Sequence, residues 1–243
     1  MDMYDNEYSN GFVKIVDNFL PESTYKRIST QIKGHNFPWY WTERDYNIDD
    51  PTTGPDLQKS LKEAEDEGIK RGTFMWTHVA YAQSTNRVEQ SEAWRGFEFI
   101  GDVIKDYGLP VVGDPREFIL KIKLNCYPNR GEKYELYKHT DFYDDLSPEF
   151  RFSDMADKPK SFEDAAAGKR KPFNWITGVL FFDNCNGPTY VEKDGDITVC
   201  ESVENRIIFF DGKLKHWAET QTDTDRRIVL NINLRWDKKD EDI

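Results

Sequence analysis

The chain has 243 residues, and its 33 basic and 45 acidic side chains give a formal net charge of −12 at pH 7. This charge repels nucleic-acid backbones and anionic membrane surfaces, so non-specific binding to either partner is not expected. Aromatic residues make up 14% of the chain, far more than a disordered acidic chain contains, and a chain of this length can fold without disulfides or a structural metal.

The N-terminal half mixes strand and helix patterns. Strands are predicted over residues 11–20, 37–41 and 73–83, and a helix over 24–32 follows the Pro-Glu-Ser that precedes it. Polar residues 45–72 predict a surface excursion that contains a Lys/Glu-rich helix over 57–67. Apolar side chains three or four residues apart over 88–107 predict an amphipathic helix that lies behind a sheet.

The C-terminal half is richer in strand patterns. Residues 117–127 alternate apolar side chains on one face with charged or polar side chains on the other. Further short strands are predicted over 174–183, 190–191, 197–200, 206–211 and 227–236. The whole pattern predicts an α+β protein whose β part is a sandwich or barrel.

We therefore expect one domain over residues 1–243, in which helix-rich residues 1–116 support a β core over 117–236. The polar stretch 142–172 interrupts that core as an insertion, which is typical of a lid or a flexible excursion.

The cysteines and the hydropathy of the chain indicate the cellular compartment in which the protein is expected. The three cysteines include no C-x-x-C pair, so a zinc ribbon and a thioredoxin-type motif are not expected. The first residues lack a secretory signal pattern, and no segment approaches the ~20 apolar residues of a spanning helix. These features predict a cytoplasmic protein in a reducing compartment, without a membrane partner.

The search for catalytic or metal-binding groups is short, because the chain has only His35, His78, His139 and His216. His139, Thr140 and Asp141 form an H-x-D triplet. Residues i and i+2 of an extended strand project to the same face, so the imidazole and the carboxylate can bind one ion. His35 and His78 have no acidic residue at such a spacing, and we expect them to be structural.

The last predicted strand begins with a basic residue. Alternation places Arg227, Val229, Asn231 and Asn233 on one face of this strand. If that face lines a barrel, the guanidinium of Arg227 points inward and needs an anionic partner, since an unpaired buried charge costs several kcal/mol. A protein carboxylate or an anionic ligand could supply the charge, and a register error of one residue would exchange Arg227 with Arg226.

The ordered set His139, Asp141, His216 and Arg227, with NCYP at 125–128 and NGPT at 186–189, resembles the Fe(II)- and 2-oxoglutarate-dependent oxygenases. Three segments are similar to the prolyl-hydroxylase-like members found in phages: KIKLNCYPN from 121, HTDF from 139, and ITVCESVENRIIFFDGKLKHWAETQTDTDRRIVLNINL over 197–234. The resemblance covers about residues 117–234, and the N-terminal half is similar only through VKIVDNFLPES and FPWYW.

This resemblance implies a double-stranded β-helix, the jelly-roll fold of cupins, with Fe(II), 2-oxoglutarate and O2 as cofactor and cosubstrates. It implies His139, Asp141 and His216 as the iron ligands, the set that non-haem Fe(II) oxygenases use. Arg227 is implied to bind the distal carboxylate of 2-oxoglutarate in a bidentate pair, and Tyr127 to hydrogen-bond this cosubstrate.

The family couples decarboxylation of 2-oxoglutarate to succinate with oxidation of a substrate, by default its hydroxylation. The likeness to prolyl hydroxylases favours an amino-acid or peptidyl substrate, so the expected partner is a small molecule or a peptide. For a phage-encoded member the compartment is the host cytoplasm.

Two departures from the family pattern leave alternatives open. Prolyl hydroxylases often have a tyrosine that assists the arginine, but this chain has Phe181 and Phe182, and Asn231 is a candidate polar substitute. The insertion over 142–172 also lengthens the spacing between the triplet and His216. The alternatives are a jelly-roll binding protein without turnover and a zinc- or manganese-dependent enzyme that uses the same triad.

Overall fold

The computed structural model describes residues 11–42, 75–84, 87–91, 97, 100–109, 111, 114–141 and 174–236. The predicted excursion at 45–72 and the insertion at 142–172 lie outside these residues. None of the helices in the described ranges combines the length and apolar character needed to cross a membrane.

The described residues form three helices and eleven strands. The helices are α1 (Glu22–Lys33), α2 (Ile100–Asp106) and α3 (Pro115–Phe118). The strands are β1 (Val13–Val16), β2 (Tyr40–Thr42), β3 (Met75–Ser84), β4 (Arg87–Gln90), β5 (Ile119–Pro128), β6 (Asn174–Phe181), β7 (Cys185–Lys193), β8 (Asp196–Ser202), β9 (Ile207–Asp211), β10 (Lys215–Ala218) and β11 (Arg226–Trp236).

These strands form two antiparallel sheets. The larger sheet has the order β1-β9-β6-β11-β5-β3-β2, with β4 paired to β3, and the smaller sheet has the order β10-β7-β8. Residues 134–139 extend the smaller sheet beyond β10, since the Leu136 amide donates to the Ala218 carbonyl at 2.8 Å and His139 exchanges two backbone hydrogen bonds with His216.

With this segment included, the strands from β5 to β11 pass between the sheets in the order of two Greek keys. β5, β6, β9 and β11 lie in the larger sheet, whereas residues 134–139, β7, β8 and β10 lie in the smaller one. This is the double-stranded β-helix. The predicted fold is therefore confirmed by the strand order itself.

Alternation along β11 separates two apolar cores. Its even-numbered residues, from Ile228 to Leu234, pack into the core that the helices cover. Its odd-numbered residue Val229 packs between the sheets, together with Tyr127 of β5. The polar face predicted for residues 117–127 thus faces the smaller sheet at Asn125 and Tyr127, which are both buried.

Helix α1 covers one end of the larger sheet. Its buried residues Tyr25, Ile28 and Ile32 lie on one face at helical spacing. The ring of Tyr25 stacks on Phe182 with centroids 5.6 Å apart, and its hydroxyl donates to the Phe182 carbonyl. Burial of each isoleucine contributes about 1.5–3 kcal/mol, so packing rather than intrinsic propensity holds the helix.

The helix predicted over 88–107 is wrong in its first residues. Residues 87–90 form strand β4, in which Val88 lies opposite Gln83 of β3, and the described helix α2 begins only at Ile100. The apolar spacing over 88–107 resembled a helix face, but pairing with β3 overrides this local preference. Residues 117 and 118 likewise end the short helix α3 instead of starting β5.

Two strands of the smaller sheet differ from prediction. β7 spans nine residues rather than 190–191, because its Asn-Gly-Pro sequence was interpreted as a turn. β10 was not predicted, since a strand of four residues carries too little alternation to be recognised.

A left-handed asparagine joins the N-terminal segment to the jelly roll. Asn205 has φ 60, its Oδ1 accepts a hydrogen bond from the Leu20 amide at 2.9 Å, and its Nδ2 donates to the Leu20 carbonyl at 2.8 Å. The Asn205 carbonyl also accepts from the Phe19 amide. Asn205 makes all three hydrogen bonds, two through its buried side chain and one through its backbone carbonyl.

We expect Asn205→Ala to lower the free energy of unfolding by about 3 kcal/mol, because it removes two buried hydrogen bonds and leaves the left-handed φ in place. Urea denaturation measures this loss. Asp194→Ala is the matched control, since Asp194 is exposed and has a similar φ of 52. Equal losses for the two variants would contradict the role given to the Asn205 side chain.

Candidate metal centre

The structure brings three of the sequence-predicted residues together between the sheets. His139, Asp141 and His216 each offer one ligand atom, and these atoms lie within 4.8 Å of one another. Asp141 Oδ1 is 3.9 Å from His139 Nε2 and 3.7 Å from His216 Nε2. The centroids of the two imidazole rings lie 4.4 Å apart, and the ring planes are inclined at 48°.

Backbone pairing positions the two histidines. His139 and His216 lie directly opposite each other where residues 134–139 pair with β10, although they are far apart in sequence. His216 therefore belongs to β10, a strand that was not predicted. Its ring also packs against Phe210 of β9, with centroids 4.8 Å apart.

A backbone carbonyl lies beside Nδ1 of each imidazole ring, on the side away from the cluster. His139 Nδ1 lies 2.8 Å from the Tyr137 carbonyl, and His216 Nδ1 lies 3.5 Å from the Leu214 carbonyl. A carbonyl can only accept, so the proton of His139 resides on Nδ1 and its Nε2 lone pair faces the cluster. Metal-binding histidines are commonly held in this way.

Two neutral side chains bind the outer oxygen of Asp141. Thr177 Oγ1 and Asn233 Nδ2 each donate to Asp141 Oδ2 at 2.7 Å, which leaves Oδ1 directed toward the histidines. Sequence reasoning did not assign a role to either residue. Their only signal was polarity on a strand face that alternation turns toward the barrel interior.

Electrostatics leave His139 and Asp141 in the protonation states that a bound cation would require. Burial, assisted by His216, lowers the pKa of His139 to about 4, so this imidazole is neutral at pH 7. Burial acts to raise the pKa of Asp141, but His216, His139 and the Thr177 hydroxyl outweigh it and lower the value to about 2. Neutral imidazole and ionised carboxylate are the metal-binding forms.

The lowered pKa of His139 predicts that the metal-free protein loses stability in acid. The unfolded chain takes up this proton near pH 6.5 and the folded protein only near pH 4, so the free energy of unfolding falls across this window as pH decreases. The loss amounts to about 3 kcal/mol. Below this window Asp141 acts in the same direction, because its pKa is also lowered on folding.

Urea midpoints of the protein in a chelating buffer, measured between pH 7 and pH 4, test this prediction. His139→Gln should show a shallower dependence on pH than the parent protein. If the urea midpoints of the parent protein and of His139→Gln changed with pH in parallel, the lowered pKa of His139 would be contradicted.

The donor set fits a divalent transition metal. Two imidazole nitrogens and one carboxylate oxygen suit iron, zinc and manganese, and three protein ligands leave further positions for other ligands. The fixed His139 tautomer and the hydrogen-bonded outer oxygen of Asp141 are the supporting contacts expected around such an ion.

Arg227 projects into the same space between the sheets. It is 2% exposed, its Nε donates to Ser202 Oγ at 3.0 Å, and its Nη2 donates to Thr189 Oγ1 at 2.8 Å. Within the described ranges, no carboxylate lies within ion-pair distance of Arg227. Arg226 is half-buried on the other face of β11, so the expected register holds.

Aromatic rings and a glycine shape the space around Arg227. Its guanidinium carbon lies 5.5 Å from the Phe181 ring and 5.8 Å from the Tyr127 ring. A Cβ on Gly187 would lie 3.0 Å from Arg227 Cδ and 2.8 Å from the Glu219 carbonyl, so a larger residue would displace the arginine. The NGPT segment therefore contributes both this glycine and Thr189 to the pocket.

Tyr127 and Asn231 occupy different places relative to Arg227. Tyr127 lies opposite Arg227 in the β5–β11 pairing, and its hydroxyl accepts a hydrogen bond from Asn125 Nδ2 at 3.2 Å. Asn231 lies four residues further along β11, opposite Lys123. The hydrogen bonds described for Arg227 go to Ser202 and Thr189, and the structure does not bring Asn231 to it.

His35 and His78 lie apart from this cluster. His35 is exposed, whereas His78 is buried and bonds to the Pro38 carbonyl and to Ser91 Oγ, each at 2.9 Å. The hydrogen bonds of His78 agree with the structural role expected for it, whereas the role expected for His35 stays a prediction.

No protein-family profile and no curated protein sequence matches the chain. Among solved structures it is similar to a prolyl-4-hydroxylase from Pseudomonas putida, with 14% identity, a TM-score of 0.48 and coverage of 96% of this chain and 97% of that one. It is also similar to a prolyl hydroxylase from Trichoplax adhaerens in complex with a hypoxia-inducible-factor peptide fragment, with 11% identity, a TM-score of 0.47 and coverage of 98% and 89%.

A third similar structure is the non-haem α-ketoglutarate-dependent epimerase SnoN of nogalamycin biosynthesis. Its identity is 11%, its TM-score is 0.49, and the alignment covers 96% of this chain and 82% of that one. These proteins are named for different reactions, and such low identities do not select among them. The function is therefore inferred from the residues of the site.

Proposed function

We propose that the protein is an Fe(II)- and 2-oxoglutarate-dependent dioxygenase that hydroxylates an amino-acid or peptidyl substrate of the prolyl type. The observation that carries this proposal is a buried guanidinium in the same space as a His-Asp-His cluster, with neutral hydrogen-bond partners. A metal and an arginine together match the two ends of a short dicarboxylate.

The surroundings of Arg227 favour an anionic ligand. A buried cation is costly unless an anion compensates it, and the hydroxyls of Ser202 and Thr189 carry no charge. A carboxylate that pairs with the guanidinium supplies the missing charge through charge-assisted hydrogen bonds. Of the two partners that the sequence allowed, a ligand rather than a protein carboxylate fits the described contacts.

In this proposal, each residue has a defined task. His139, Asp141 and His216 hold the iron, Arg227 binds the distal carboxylate of 2-oxoglutarate, and Tyr127 lines the same pocket. When bound, iron and 2-oxoglutarate supply activation of O2 coupled to decarboxylation to succinate. Arg227 is almost completely buried, and low solvent exposure strengthens the pairing of its charge with a carboxylate.

Anaerobic titration with Fe(II) and 2-oxoglutarate tests the proposal. We expect a visible metal-to-ligand charge-transfer band, followed by succinate formation when O2 is admitted. His139→Ala should lose both signals, and a variant that kept them would overturn the assignment.

The same experiment separates the alternatives. Metal binding without O2 consumption across a panel of amino acids and peptides would indicate a jelly-roll binding protein. Turnover with zinc or manganese that does not depend on 2-oxoglutarate would indicate a different metalloenzyme.

A further inference from the structure

We propose that Thr177 and Asn233 are positioning residues that keep Asp141 a ligand through one oxygen only. This inference rests on the metal site of the proposed function and adds a specific task for two residues outside the ligand set. Their task is to keep open a coordination position of the metal that Asp141 would fill if both of its carboxylate oxygens bound.

The geometry of the pair supports this task. Asn233 and Thr177 lie directly opposite each other on β11 and β6, and both side chains are buried, at 3% and 1% exposure. Asn233 Nδ2 lies 3.2 Å from Thr177 Oγ1 and 2.7 Å from Asp141 Oδ2. Since the hydroxyl of Thr177 accepts from the amide, its own proton is left for the carboxylate.

Both donors converge on the same oxygen of Asp141. Hydrogen bonds to an ionised acceptor are about twice as strong as neutral ones, and Oδ2 could turn toward a metal only by breaking them. Both side chains are neutral, so these donors add no charge to the site. Oδ1, in contrast, faces His139 and His216 at 3.9 Å and 3.7 Å.

The number of Asp141 oxygens that bind the metal decides how many of its coordination positions stay open. A six-coordinate ion held by two histidines and a one-oxygen carboxylate has three remaining positions, and a 2-oxo acid that chelates through two atoms uses two of them. The last position accepts a small molecule. If Asp141 bound through both oxygens, this position would be filled by the protein.

Counting metal-bound water on Mn(II) tests the inference without any turnover. The protein is loaded with Mn(II), with and without 2-oxoglutarate, and bound water is counted from the broadening of the manganese magnetic-resonance signal in 17O-water. We expect one water in the parent complex with 2-oxoglutarate. Thr177→Val and Asn233→Ala, made separately, should each lose that water from a large fraction of the sites.

Two further variants distinguish positioning from general stability. Thr177→Ser retains the donor and should restore the parent water count. Thr220→Val removes a buried hydroxyl that accepts from the Tyr134 amide at 2.8 Å, and it should leave the count unchanged at equal or greater loss of stability.

The outcomes separate this inference from the proposed function. If the parent binds Mn(II) and 2-oxoglutarate but Thr177→Val and Asn233→Ala keep its water count, the positioning role is wrong and the proposed function stands. If the parent binds no Mn(II), both are overturned. Should Thr177→Val fail to fold, Asn233→Ala and Thr177→Ser decide the matter.

Discussion

Replacing His216 with alanine should weaken Fe(II) binding by more than about 100-fold and eliminate succinate formation from 2-oxoglutarate. Loss of a contact that merely orients a ligand costs 10–100-fold in metal affinity, so loss of a ligand itself should exceed that range. The two remaining ligands, His139 and Asp141, keep their own supporting hydrogen bonds. Metal affinity is measured by anaerobic calorimetric titration.

His78→Gln is the matched control for this experiment. His78 is as buried as His216 but bonds to Pro38 and Ser91, away from the cluster. Its replacement should reduce stability and leave Fe(II) affinity within a fewfold of the parent. Retention of metal binding by His216→Ala, or its loss in His78→Gln, would contradict the assigned ligand set.

Arg227→Met should abolish tight binding of 2-oxoglutarate while leaving metal affinity nearly unchanged. Removal of one partner of a buried charge pair costs about 2–5 kcal/mol, which corresponds to a roughly 30-fold to 5,000-fold weaker affinity. The fold should tolerate the change, because an apolar side chain in place of a buried charge is often neutral or stabilising. Titration of the Mn(II)-loaded protein with 2-oxoglutarate measures the effect.

Arg226→Met controls for the loss of a positive charge at the same place in the sequence. Arg226 is half-buried on the opposite face of β11, so its replacement should not change 2-oxoglutarate binding. If the two variants bound 2-oxoglutarate equally well, Arg227 would not be its anchor.

The orientation of Arg227 was predictable from the sequence because a strand has a strict two-residue period. Once RIVLNINL is taken as a strand with one apolar face in the core, the side of Arg227 follows. The proximity of His139 and His216 was not derivable in this way. It depends on pairing between residues 134–139 and β10, a short strand that local patterns do not reveal.

The supporting residues of the site carried the weakest signals. Thr177, Thr189, Ser202 and Asn233 are neutral, and each lies in a strand where a polar side chain ordinarily indicates a solvent-facing position. Their burial becomes visible only when both sheets are in place, since the second sheet turns a polar face into an interior. Asn231 lies on the same face of β11 as Arg227, but it is four residues further along the strand and does not reach the guanidinium.

The central claim is that one space between the two sheets holds a divalent metal on His139, Asp141 and His216 and a dicarboxylate on Arg227. A crystal structure of the protein with Mn(II) and 2-oxoglutarate, with the metal located by its anomalous signal, tests this claim directly. The account predicts an anomalous peak bound to His139 Nε2, Asp141 Oδ1 and His216 Nε2, with the distal carboxylate paired to Arg227. A peak elsewhere, or a 2-oxoglutarate molecule that does not reach Arg227, would contradict it.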